Sequence, residues 1–197
     1  RGLGDVYKRQ LKLRARNPLY DAREVFLFEC YTGIRISDIL TLKWKHITDE
    51  KISIRMRKTE KLLSIPINDY VRAVLDRRRC AVENNGGKIT SEKYVFNILK
   101  VDVDEVSAQD ALNAISSATA VINKQLKKIA KKTGIDKNLS THCARHSYAT
   151  ALLTNNIPLP VIKEMLGHSD IKVTQIYAKV VDLSLIHISE PTRRVVI

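Results

Sequence analysis

A mainly α-helical α+β domain with one small antiparallel β-hairpin is the fold the sequence predicts. Three observations predict it. Most of the chain carries apolar residues at helical spacing, closed by glycine or opened by asparagine. Two short alternating stretches flank a tight charged turn. No internal repeat or low-complexity linker divides the chain. In order, "DAREVFLFECY" at 21–31 reads as a helix capped by Thr32 and Gly33. "RISDILTL" reads as a short second helix with Ser37 or Asp38 near its start. "KISIRMR" and "LLSIPI" alternate as strands around "KTEK". "NDYVRAVLDRRRCAVE" reads as a basic helix opened by Asn68, followed by the loop "NNGG". Residues 89–106 fit neither period. The run "SAQDALNAISSATAVINKQLKKIAKKTG" reads as a long helix ending at Gly134. "THCARHSYATALLTN", "PLPVIKEMLGH" and "DIKVTQIYAKV" read as three more helices.

Composition narrows the function. The 197 residues are 44% apolar and 28% charged, with net charge +13 and pI near 9.8. Such a charge suits a polyanion, because lysine and arginine displace counterions from nucleic acid. A solvated basic surface is the plainer reading. Three cysteines, Cys30, Cys80 and Cys143, are an odd count without metal-ligand spacing, which points to a reducing, cytoplasmic setting. No apolar run approaches ~18 residues, so no membrane span is expected, and no signal peptide is visible at the start.

The two ends read as foreign. Residues 1–10, "RGLGDVYKRQ", back-translate as CGT GGG CTC GGA GAT GTG TAT AAG AGA CAG. The reverse complement of that DNA encodes LSLIHISEPT, which is residues 183–192. Such DNA resembles a transposase-inserted sequencing-library adapter. The expectation is therefore 1–10 and 183–197 adapter-derived, with a catalytic-domain fragment at 11–182. Without the ends, 29 basic and 19 acidic side chains leave a net charge of +10, so the basic signal remains.

"THCARH" at 141–146 places His142, Arg145 and His146 on one helical face. Such a face can hold a metal, a phosphate or a surface ion pair. A zinc hydrolase of the usual kind has glutamate after the first histidine and a third ligand. Here Cys143 follows, and Arg145 opposes a cation. Taken singly, other residues have ordinary readings. Tyr177 can be a half-buried aromatic, Arg35 a surface arginine, Lys58 an edge-strand charge, and His168 a group at a helix end.

Together they form four boxes in order: "TGIRISDILTLKW", "RMRKTEKLLSIPI", "THCARHSYATALL" and "MLGHSDIKVTQIYAK". Over 18–179 the chain resembles the tyrosine recombinase, or phage integrase, family. The resemblance implies that family's catalytic-domain fold. It also implies six catalytic residues, Arg35, Lys58, His142, Arg145, His168 and Tyr177. By that likeness Tyr177 attacks a DNA phosphodiester and leaves a 3′-phosphotyrosyl link and a 5′-hydroxyl, with no metal, ATP or other cofactor. Two guanidinium forks suit the charge that grows on the nonbridging oxygens. A free tyrosine has a pKa of about 10 and needs a base. His142 is implied as that base, Lys58 as the acid for the leaving oxygen, and His168 as a hydrogen-bond donor to phosphate. Asp38 is expected to orient Arg35, and His146 to support the face from behind Arg145. Lys61 competes with Lys58 for the hairpin role.

The implied partner is double-stranded DNA at recombination sites, bound by a homotetramer that is monomeric in isolation, with no membrane. Phosphate contacts are expected from the Arg77–Arg79 cluster and from Lys124, Lys127, Lys128, Lys131 and Lys132. An N-terminal clamp domain and a C-terminal docking segment are expected to be missing, which predicts weak DNA binding and poor recombination. Two other readings stay open: a noncatalytic basic DNA-binding module of the same fold, and type IB topoisomerase-like strand passage.

Overall fold

The computed structural model describes residues 17–177. Both expected adapter segments, 1–10 and 183–197, lie outside the described residues, as do 11–16 and 178–182.

Helix α1 (Tyr20–Thr32) is the hub of the domain. It packs on α3 (Asp69–Glu83), α4 (Ala108–Thr133) and α5 (Thr141–Thr154). Its apolar residues are therefore buried nearly all round, from Ala22 and Val25 to Phe28 and Cys30. Phe28 meets Phe96 edge to face at 5.2 Å between ring centres. The helix stops at Gly33, whose φ of 65° lets its N–H reach the Glu29 carbonyl at 2.8 Å. A Cβ at Gly33 would run into the Tyr148 ring on α5. Gly33→Ala is therefore expected to cost roughly 2–5 kcal/mol, from left-handed strain plus overpacking. Urea unfolding of the variant checks this.

Helix α2 (Ile36–Leu40) has Ser37 and Asp38 in its first turn, as expected. Arg35, in extended conformation, is the residue before the first turn, and neither Ser37 nor Asp38 caps it. A 3₁₀ turn at Trp44–His46 leads to strand β1 (Lys51–Arg55), which pairs antiparallel with β2 (Leu62–Pro66). The register sets Ile52 against Ile65 and Ile54 against Leu63, and all four are buried. Period-two alternation thus aims one face of this two-stranded sheet at the core.

Asn68 opens α3 as expected, its side chain accepting the Val71 N–H at 2.9 Å. Not every arginine of this basic helix faces solvent. Arg78 is 5% exposed, bonded to Asp21 at 2.5 Å and to the Val95 carbonyl at 3.2 Å. The ambiguous stretch 89–106 is irregular. It is pinned by the Lys43 ammonium, which donates to Asp102 at 3.1 Å and Asp104 at 2.7 Å, and by the Tyr94 hydroxyl on Asp102 at 2.6 Å. Helix α4 runs from its Ser107 cap to Gly134. Helix α6 (Leu159–Leu166) ends at Gly167, φ 61°. Residues 171–177 are helical and complete the described chain as α7. A second small core of Tyr148, Ala149, Ile162, Leu166 and Tyr177 joins α5, α6 and α7. The free cysteines are Cys30, Cys80 and Cys143, and no described helix is long and apolar enough to cross a membrane.

Candidate active site

One cavity of about 520 Å³ gathers all six expected catalytic residues. Its walls come from five places in the chain: the end of α1 and start of α2, the hairpin turn, the first turns of α5, the 168–169 corner after α6, and α7.

Arg145 is the most buried cation of the cavity, 6% exposed. Its Nη1 donates to the Gly33 carbonyl and its Nη2 to the Leu166 carbonyl at 2.6 Å. Those carbonyls belong to two helix ends, so one guanidinium ties together α1, α5 and α6. Burial, with Arg35 nearby, lowers its pKa to about 10, which still leaves it charged at neutral pH. Arg35 is held more loosely, with Nη2 3.4 Å from the Gly167 carbonyl and Nη1 3.4 Å from the Met56 sulfur.

Tyr177 is 6% exposed and packs on the second core. Burial raises its pKa, with Arg145 and Arg35 pulling the other way. The phenol is therefore neutral at neutral pH. The His168 ring stacks parallel to it, 6.4 Å away between centres. Burial lowers the His168 pKa to about 4, helped by Arg145 and Arg35, so that ring is neutral at pH 7. Its Nδ1 lies 2.9 Å from Thr174 Oγ1, a partner one turn before Tyr177 that sequence reasoning missed.

His146 departs from its expected place behind Arg145. Its ring centre is 5.1 Å from that of Tyr177 and 4.2 Å, edge on, from that of His142. It lines the cavity with the nucleophile candidate, where burial, with His142 and Arg145 nearby, lowers its pKa. His142 stands exposed at the cavity edge. Asp38 also differs: its Oδ1 accepts the Arg57 N–H at 2.9 Å, and its buried Oδ2 has no partner among the described residues. It fixes the entry to the turn that carries Lys58, rather than bonding Arg35. Lys58, at the tip of that turn, lines the cavity, whereas Lys61 lines a neighbouring one beside α6.

Among the expected DNA contacts, all five α4 lysines are exposed: Lys124, Lys127, Lys128, Lys131 and Lys132. Asn123, just before them, accepts the Thr141 N–H at 2.9 Å and so fastens α4 to the start of α5. Arg77 has an intramolecular use. Its Nε donates at 2.9 Å to Glu24, a carboxylate with no exposure that also pairs with Arg23 at 2.6 Å. Arg79 lies over the Trp44 ring, 5.2 Å from its centre. The cavity also holds a residue the sequence reading passed over, Glu29, on the inner face of α1.

Comparisons with known proteins agree with this assembly. Residues 6–183 match the model of the phage integrase family. The chain is 52% identical over 157 residues to tyrosine recombinase XerD of Listeria monocytogenes serotype 4b, covering 78% of this chain and 48% of that one. It is 32% identical over 150 residues to tyrosine recombinase XerD of Staphylococcus aureus strain Mu50, covering 76% and 46%. The chain thus spans about half the length of the curated relatives it matches. Among solved structures, XerH recombinase in a post-cleavage complex with a palindromic difH substrate superposes with a TM-score of 0.66. That match has 20% identity and covers 96% of this chain and 52% of the other. A lambda integrase dimer on a COC′ core site gives 0.54 at 18% identity, covering 88% and 55%; both establish the fold. With its boxes folded around one cavity and its sequence matched along most of its length, the chain belongs to the phage integrase family.

Proposed function

We propose that this chain is the catalytic part of a site-specific DNA recombinase, working through a covalent 3′-phosphotyrosyl intermediate. The observation that carries the reading is the convergence of Arg35, Lys58, His142, Arg145, His168 and Tyr177 on one cavity. Tyr177 Oη attacks the phosphorus, and the bond from phosphorus to the 5′-oxygen breaks. The phenolic proton passes to an imidazole, His142 by family likeness, with His146 beside it. Lys58 gives a proton to the departing 5′-oxygen. Arg35 and Arg145 stabilise the nonbridging oxygens. When Thr174 donates to Nδ1 of the neutral His168, its Nε2–H is free to donate to phosphate. Reversal with a new 5′-hydroxyl rejoins the strand, since the phosphodiester energy is kept in the tyrosyl link.

The α4 lysines track the DNA backbone and supply affinity without sequence reading. A lambda integrase of the same fold is a dimer bound to a COC′ core site, and XerH of the same fold is bound to a palindromic difH substrate. Four copies on two sites is the assembly the reading implies here. The reading also makes the expected domain division, a catalytic fragment at 11–182 between two foreign ends, part of the proposal.

The test is a duplex nicked just beyond the cleavage point, which loses its short 5′-hydroxyl strand and traps the adduct. The expected result is a protein–DNA band that survives denaturation. Binding without any such band would favour the noncatalytic module. Relaxation of supercoiled plasmid without site preference would favour the topoisomerase-like reading.

A further inference from the structure

The mechanism above leaves one buried acid unused. Glu29 is 2% exposed, lines the cavity, and has its Oε2 buried without a hydrogen-bond partner among the described residues. Its backbone is already part of the Arg145 support. The Glu29 carbonyl accepts the Gly33 N–H, and the Gly33 carbonyl in turn accepts from Arg145. Yet Arg145 directs Nη1 and Nη2 to carbonyls, not to this carboxyl. An unpaired carboxylate in that place is strongly disfavoured. A protonated one costs far less.

We propose that Glu29 is a positioning residue of this site: a carboxylic acid kept neutral beside Arg145, which leaves the whole guanidinium charge to a DNA phosphate. The inference rests on the reading that Arg145 binds phosphate. Burial pushes the Glu29 pKa up to about 9, with Arg145 pulling it down and Cys143 adding to the rise. The other charged or titratable groups around the cavity are Arg35 from the start of α2, Lys58 from the hairpin, His142 and His146 from α5, and His168 and Tyr177 beyond α6. Asp38 of α2 lies behind them, within the field of both arginines. At neutral pH the acid holds its proton, and a bound phosphate, being negative, holds it more firmly. Above about pH 9 the proton leaves, Glu29 turns into a counter-charge for Arg145, and the phosphate loses its partner. Sign and window follow for stability too. The folded chain keeps a proton that the unfolded chain releases near 4.5, so stability falls as pH rises between 4.5 and about 9.

The experiment uses the full chain as wild type, Glu29→Gln and Glu29→Leu. Adduct trapping is measured from pH 7.5 to 10, each profile normalised to its own value at pH 7.5. The expected result is that wild type declines relative to both variants by about tenfold per pH unit beyond its carboxyl ionisation, as a single proton requires. A ¹³C titration of the Glu29 carboxyl in wild type should show it protonated at pH 7. Superimposable normalised profiles, or a carboxyl titrating near 4.5, would overturn the proposal. The carbon titration needs no variant to fold and no catalysis. Absence of any adduct in wild type would instead bring down the recombinase reading, with the neutrality of Glu29 still decided by the titration.

Discussion

Arg145→Ala is expected to lower the rate of adduct trapping by at least about 10²–10³-fold, the loss typical of removing one preorganised donor from a site of growing negative charge. It is also expected to destabilise the fold by ~2–5 kcal/mol. Two facts set the second figure. Arg145 is 6% exposed, and its removal strands the carbonyls of Gly33 and Leu166, which belong to two different helix ends. Lysine cannot restore both bonds, because an ammonium has no planar fork to span them. Arg35 supplies the internal comparison. Half-buried, with contacts of 3.4 Å only, it can be removed with much less structural cost. The Arg35→Ala variant should therefore lose trapping while unfolding near the wild-type urea midpoint. Trapping at saturating protein, paired with urea unfolding, separates the chemical part from the structural part. If Arg145→Ala destabilises the fold but traps at the wild-type rate, the phosphate role belongs elsewhere.

The same residue shows what could be read from sequence. His142, Arg145 and His146 were legible as one face because the α5 spacing carries the information locally. That spacing did not tell which way His146 turns: it lies beside His142 and Tyr177 rather than behind Arg145. Helix ends at Gly33, Asn68, Gly134 and Gly167 were legible for a similar reason, since each depends on one residue's own conformational freedom or side-chain oxygen. Arg77, Arg78 and Arg79 looked like one basic patch. Successive residues on a helix point about 100° apart, however, and the three turn to Glu24, Asp21 and Trp44 in turn. Those acids lie on α1, some 50 residues away, so the pairing is a tertiary fact. Glu29 was hidden for the same reason. A lone carboxylate in "VFLFECY" is a visible oddity, but its neighbour Arg145 arrives only when α5 packs on α1. The Asp38 carboxylate reaches the hairpin backbone at Arg57, and nothing in "RISDIL" tells of that.

Tyr177→Phe is expected to abolish the covalent adduct altogether while leaving DNA binding within about twofold. The change removes one oxygen and keeps the ring. That ring is what packs with Leu166 and Ile162 and stacks on His168, so the second core should survive. Loss of the adduct is then a loss of the nucleophile and not of the fold, and a far-ultraviolet dichroism melt beside the trapping assay checks this. The cavity offers other hydroxyls, on Ser37, Thr59, Thr141 and Ser169. An adduct that persists in Tyr177→Phe would move the assignment to one of them. The pH dependence argues further for the phenol. Burial raises the Tyr177 pKa, so attack requires a base and the wild-type rate should climb from acid to neutral pH as an imidazole loses its proton. His168 cannot supply that rise, because it is already neutral above about pH 4. Trapping by His142→Gln and His146→Gln identifies the base: the true base, once replaced, takes the acid limb with it.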